Sequence, residues 1–196
     1  MSAPDLADAP AVAVWVVDRL DEEGIAYAIG GALALGAHGA PRMTKDVDLS
    51  VFVPEPELDR LFDALDRAGC RFQREQARRE VAEVALFRVR CGRVDVDLFV
   101  AFHPHHHEAL RRRVGLPAPD GRARWFLSAE DLVIHKLALN RPKDRLDLEA
   151  LFAVRGGRLD LAYIRRWVAA LTEAGDPRRD ELERLVARFS GPGPAP

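Results

Sequence analysis

The segment Asp46-Val47-Asp48-Leu49-Ser50-Val51 carries the residues best suited to chemistry. Read as a strand, its side chains alternate: Asp46, Asp48 and Ser50 on one face, Val47, Leu49 and Val51 on the other. An apolar rear face pins such a strand in a sheet while two carboxylates project forward at a fixed separation. Hard oxygen donors so arranged suit divalent cations. A second strand, Val94-Asp95-Val96-Asp97-Leu98-Phe99-Val100, repeats the pattern, with Asp95 and Asp97 opposite Val94, Val96 and Leu98. Two carboxylates from one strand and a third from its neighbour can bridge a pair of Mg²⁺ ions roughly 3.5–4 Å apart. Asp95 and Asp97 share a face, so the spacing leaves the third ligand open between them; Asp97 is preferred. Ions held there would activate an attacking hydroxyl and neutralise charge on a triphosphate.

Other residues fit the same chemistry. Gly30-Gly31 follows the apolar run Ile25–Ile29 and precedes a short helix, where backbone N–H groups can approach a phosphate without an intervening side chain. Arg42 and Thr44 lie just before the aspartate strand, Arg42 as a phosphate ligand or a turn residue and Thr44 as a support for the turn. Lys136, with Arg141 and Lys143 shortly after it, supplies cations that bind phosphates or stabilise a leaving pyrophosphate.

The elements that must hold these groups are readable from periodicity. Val12, Trp15, Val16 and Leu20 have helical spacing in 11–23, and Gly24 stops that helix. Strands are expected over 25–29, 45–53, 71–76, 81–91 and 94–102, with Gly92-Arg93 as a two-residue hairpin turn. A helix over 55–68 presents Leu58, Leu61, Phe62 and Leu65 on one side. Trp125-Phe126 forms a last short strand, and the grammar then turns helical: Ser128 caps one helix, Pro142 opens a second, Asp160 caps a third and Asp176-Pro177 starts a fourth. The expected organisation is an α/β domain over 10–126, a helical subdomain over 127–190 and a disordered tail over 191–196, with the two halves sharing a cleft.

Bulk properties set limits. The chain has 196 residues, 48 % hydrophobic and 31 % charged, with a net charge of −2, so it is an ordinary globular composition with no global basic bias toward nucleic acid. No apolar run reaches bilayer length, and the N-terminus lacks the pattern of a secretory signal. Two cysteines, Cys70 and Cys91, are too few for a disulfide framework and point to a reducing cytoplasm.

The order Gly-Gly, Arg42-x-Thr44-x-Asp46-x-Asp48, then a later strand aspartate, resembles the polymerase-beta-like nucleotidyltransferase superfamily. Glu130-Asp131-Leu132-Val133-Ile134-His135-Lys136-Leu137 and Arg141-Pro142-Lys143-Asp144-Arg145-Leu146-Asp147 resemble the Lys motif and Asp-x-x-Asp motif of AbiEii/AbiGii-type toxin nucleotidyltransferases. The resemblance covers about 25–151. It implies an α+β fold, a mixed sheet flanked by helices and followed by a C-terminal helical subdomain. It implies metal-dependent transfer of an NMP from an NTP such as ATP, with Mg²⁺ (or Mn²⁺) as the ion, to an acceptor that is tRNA or protein, and an antitoxin partner. By the same resemblance Asp46, Asp48 and Asp97 (or Asp95) hold metal, Lys136 is the cation of the helical half, and Asp144 and Asp147 are its acidic partners. Two departures concern the acceptor more than the chemistry: Gly-Gly stands where many members have Gly-Ser, and the chain is short for the toxins.

Plainer readings compete. The aspartates can be solvated strand residues, Gly30-Gly31 a simple tight turn, and Lys136, Arg141, Asp144 and Asp147 surface ion pairs. The run His103, His105, His106, His107, at the entry to a short helix expected over 105–114, reads as a solvated loop after a strand rather than a zinc site, and Trp15, Trp125 and Trp167 as core. The alternative function is a catalytically inactive protein of the same fold that binds nucleotide or a protein partner; a third class is a metal-dependent phosphohydrolase.

Overall fold

The structure, a computed structural model, describes residues 8–118 and 120–189. The tail expected to be disordered lies outside the described residues. The chain divides into two compact units, one comprising the chain up to Leu33 and Met43–Leu127, the other Ala34–Arg42 and the chain from Ser128.

The first unit is built on one mixed sheet. Its strands are β1 (Ala26–Ile29), β2 (Asp46–Phe52), β3 (Leu86–Cys91), β4 (Val94–Val100), β5 (Val114–Pro117) and β6 (Ala123–Phe126), in spatial order β3-β4-β2-β1-β6-β5. β2 runs parallel to β4 and antiparallel to β1; β3 is antiparallel to β4. The alternation expected for the aspartate strands is real: Val47, Leu49 and Val51 of β2 and Val94, Val96, Leu98 and Val100 of β4 are all buried. Helices α1 (Ala9–Glu22) and α3 (Leu58–Arg67) bring Val12, Val16, Leu20, Leu61, Phe62 and Leu65 into the same core. Asp8 caps α1, accepting from the Ala11 N–H at 2.8 Å. Trp15, expected in the core, packs against it only partly buried, its indole N–H donating to the Ala68 carbonyl at 2.9 Å. Trp125 likewise is partly buried against this core.

Three expectations are corrected here. Residues 71–76 do not form a strand. Only Arg71 pairs, as an isolated bridge to Arg90, and α4 (Arg74–Val84) follows. Its sequence Arg-Glu-Gln-Ala-Arg-Arg-Glu is rich in good helix formers. It buries only Ala77, so the apolar period that would have announced it is missing. The histidine run is not a solvated loop. It opens α5 (Pro104–Arg112), with His103 as N-cap accepting from the His105 N–H at 3.2 Å and His105 itself buried. Cys70 and Cys91 are joined in a disulfide. Arg71 and Arg90 exchange backbone hydrogen bonds of 2.8 and 3.0 Å, and that bridge brings their neighbours Cys70 and Cys91 together, with Cα atoms 4.3 Å apart.

The second unit holds α6 (Ala129–Leu139), α7 (Pro142–Arg155), α8 (Leu161–Leu171) and α9 (Pro177–Phe189), beginning where the Ser128, Pro142, Asp160 and Pro177 signals lie. Ser128 caps α6, and Asp131 of the first turn accepts from both the Ser128 hydroxyl and the Tyr163 phenol at 2.6 Å. Helix α2 (Gly31–Ala37) carries the chain from one unit to the other, since the division falls after Leu33. Among the described residues, no helix is long and apolar enough to cross a membrane.

Candidate active site

The sheet register sets the four aspartates side by side. Across the parallel pair β2 and β4, Asp46 lies opposite Asp95 and Asp48 opposite Asp97. All four fall on the face that the buried valines and leucines leave, and all are partly exposed. β1 ends beside them. The Gly30 N–H donates to the Asp48 carbonyl at 2.8 Å, so it is already used within the sheet. Gly31 has φ +54°, and a Cβ placed on it would lie 1.8 Å from Asp48 Oδ2. Glycine at 31 is therefore required by close approach to the Asp48 carboxylate, whereas a Cβ on Gly30 would lie 3.3 Å from the Leu127 side chain. Thr44 lies two residues before β2, with its hydroxyl on the Asp46 carboxylate and 3.2 Å from the Asp46 carbonyl. That contact fixes the orientation of the first aspartate.

Two cations on the edge strand β3 complete the group. Arg88 lies opposite Asp97 and Arg90 opposite Asp95. The Arg88 guanidinium grips Asp97 through two bonds, Nε to Oδ1 at 2.6 Å and Nη2 to Oδ2 at 2.9 Å. Arg90 contacts Asp95 through Nη1. Hydrogen bonding to Asp97, with the negative charge of Asp97, Asp95 and Asp46, holds the Arg88 pKa above its ordinary value. The sequence reading missed both arginines, although the signal was present. A two-residue turn at Gly92-Arg93 pairs Cys91 with Val94, and counting back from there sets Arg90 against Asp95 and Arg88 against Asp97.

The donor set fits a hard divalent ion. It is all carboxylate oxygen, held by backbone register and flanked by a glycine that admits no side chain. The guanidiniums also mark where this surface demands positive charge.

The remaining candidates gather in the second unit. Lys136 is buried, with its ammonium 2.6 Å from Asp147 and 3.6 Å from Asp144. Arg42 forms a two-bond pair with Asp147, at 2.7 and 3.0 Å. Arg141 binds Asp144 through its backbone N–H at 3.1 Å and its guanidinium at 2.7 and 3.2 Å. Burial acts to raise the pKa of both aspartates. It is outweighed by hydrogen bonds from Arg42 and Lys136 at Asp147, and from Arg141 together with the Lys136 charge at Asp144, so both carboxyls are held below their ordinary value. The structure thus joins Arg42, Lys136, Arg141, Asp144 and Asp147 in one network, and Asp46, Asp48, Asp95, Asp97, Gly30, Gly31 and Thr44 in another.

The mixed sheet with its flanking helices is the nucleotidyltransferase fold. The chain is similar over 92 % of its length to the crystal structure of ANT(2'')-Ia in complex with adenylyl-2''-tobramycin, with 97 % of that chain covered, a TM-score of 0.50 and 18 % identity. An antigenic nucleotidyltransferase-like protein from Paracoccidioides brasiliensis aligns over 90 % of this chain and 85 % of its own, at 20 % identity and a TM-score of 0.41. No protein-family model and no curated protein matches the chain.

Proposed function

We infer that this protein is a divalent-metal-dependent nucleotidyltransferase that moves an NMP from an NTP to an acceptor and releases pyrophosphate. The observation that carries this is the β2–β4 register, which sets Asp46 beside Asp95 and Asp48 beside Asp97 on one face of the sheet, next to a Gly31 whose missing side chain leaves room for the Asp48 carboxylate. Asp46 and Asp48 hold the ions, with Asp97 as third ligand and Asp95 next to it. Thr44 keeps Asp46 turned to the site, and Gly30 and Gly31 keep this flank clear of side chains for the nucleotide. Mg²⁺ bound there supplies activation of the attacking hydroxyl and charge neutralisation on the triphosphate. As cations near the motifs, Lys136, Arg42 and Arg141 are assigned a role on phosphate. Each now holds a carboxylate, so that role requires exchanging Asp147 or Asp144 for a phosphate oxygen.

The acceptor follows from resemblance rather than from these residues: tRNA or protein, in the setting of a toxin and its antitoxin. ANT(2'')-Ia, seen with an adenylylated aminoglycoside, adds amino sugars as an acceptor class. Incubation with each α-labelled NTP, Mg²⁺ and separate RNA, protein and aminoglycoside pools tests the reading. Label transferred to one pool, with loss of transfer in Asp46→Asn and Asp48→Asn, supports it; no label in any pool and no pyrophosphate release contradicts it. A second reading is favoured by Arg88 and Arg90, whose guanidiniums neutralise the third-ligand carboxylates: a protein of this fold that binds nucleotide without turning it over. Calorimetry that detects NTP binding with no pyrophosphate release would favour that reading.

A further inference from the structure

We propose that Arg88 is a displaceable counter-cation that occupies Asp97 and is released when a divalent ion takes that carboxylate. The inference rests on the nucleotidyltransferase reading of the site. Both Asp97 oxygens are engaged by Arg88, at 2.6 and 2.9 Å, so metal and guanidinium compete for the same two oxygens and their shared negative charge. The two partners differ in freedom to move. Asp97 is a short side chain on β4, a strand paired on both sides, and is 14 % exposed. Arg88 is a long side chain on the edge strand β3, 61 % exposed, so water replaces Asp97 around it when it swings away. Arg90 serves as an internal control. It contacts only Oδ1 of Asp95, two register positions further along, and leaves Oδ2 outside the pair. The role of Arg88 is therefore to position and guard the third carboxylate, setting how tightly the metal-free protein takes up its ion.

The test is Mn²⁺ binding to the full chain without nucleotide, at low ionic strength, followed by electron paramagnetic resonance and calorimetry. Arg88→Met is expected to tighten Mn²⁺ binding about five-fold, the upper end of what a partly exposed ion pair is worth, because the ion no longer has to break that pair. Arg88→Lys keeps the charge but loses the two-point grip, and binding is expected to fall between wild type and Arg88→Met. Arg90→Met is expected to gain less than Arg88→Met. Arg88→Gln serves in place of Arg88→Met should the latter fail to fold. The proposal is overturned if Arg88→Lys matches wild type while Arg88→Met and Arg90→Met gain equally, since that is a general charge effect. It is also overturned if Arg88→Met (or Arg88→Gln) gains nothing. A wild type that binds no Mn²⁺, or binds it equally well after Asp48→Asn, sinks the nucleotidyltransferase reading itself, and this proposal with it.

Discussion

At residue 31 a methyl group has no room. Its Cβ would lie 1.8 Å from Asp48 Oδ2, and the backbone there has φ +54°. Gly31→Ala therefore carries two penalties. The left-handed backbone alone costs a non-glycine residue about 1–2 kcal/mol, and the Asp48 carboxylate must turn away. Urea unfolding is expected to show at least that loss of stability, and Mn²⁺ titration a loss of affinity. Unchanged Mn²⁺ affinity would mean that Asp48 is no ligand. The aspartates were legible in the sequence because a period of two is unambiguous when apolar and acidic residues alternate strictly. The purpose of Gly31 was only half legible. Two glycines before a helix suggest room for a phosphate, whereas the neighbour that demands the glycine is a carboxylate from a strand met only in three dimensions.

At the scale of elements, the β3–β4 hairpin determines what faces the aspartates, and the Cys70–Cys91 disulfide ties its edge to the turn after α3. The bridge spans a sequence separation of 21, and closing such a loop stabilises a fold by about 3 kcal/mol. Cys70→Ser with Cys91→Ser is expected to lower stability by that order, read from denaturant midpoints with and without reductant; reductant should move the wild-type midpoint and leave the double variant unmoved. Elements with strong punctuation were legible, such as α6 from Ser128 and α7 from Pro142. Helix α4 was not, because its one buried residue, Ala77, gives no stripe, and its end lies at Ala85 with φ +53° rather than at a glycine. The disulfide was illegible for a similar reason: the cysteines meet through a single backbone bridge between Arg71 and Arg90.

At the scale of the whole molecule, each of the two units has its own electrostatic centre. The centre of the second unit is the buried ammonium of Lys136 with Asp144 and Asp147. Removing one member of such a pair leaves an uncompensated charge, so Asp147→Ala is expected to cost about 3–5 kcal/mol in thermal or chemical unfolding. The pH dependence has a definite sign. Both carboxyls are held below their ordinary value, so their contribution is complete above the unfolded carboxylate pKa of about 3.9 and is lost as pH falls through the lowered native values. Stability measured downward from neutrality should therefore drop on the acid side of that value, and Asp147→Asn should flatten the drop. A wild-type profile that stays level there contradicts the network. Motif order placed Lys136 near Asp144 and Asp147, but Arg42 could not be added from sequence, because its partner Asp147 lies 105 residues away.

The most direct test of the assignment is pyrophosphate release from NTP in the presence of an active acceptor pool, compared between wild type and Asp48→Asn, with and without Mg²⁺. The expected result is release that requires Mg²⁺ and falls by about a hundred-fold or more in Asp48→Asn, the loss typical of removing a group that stabilises transition-state charge. Equal release by both proteins, or release indifferent to divalent ions, would contradict it.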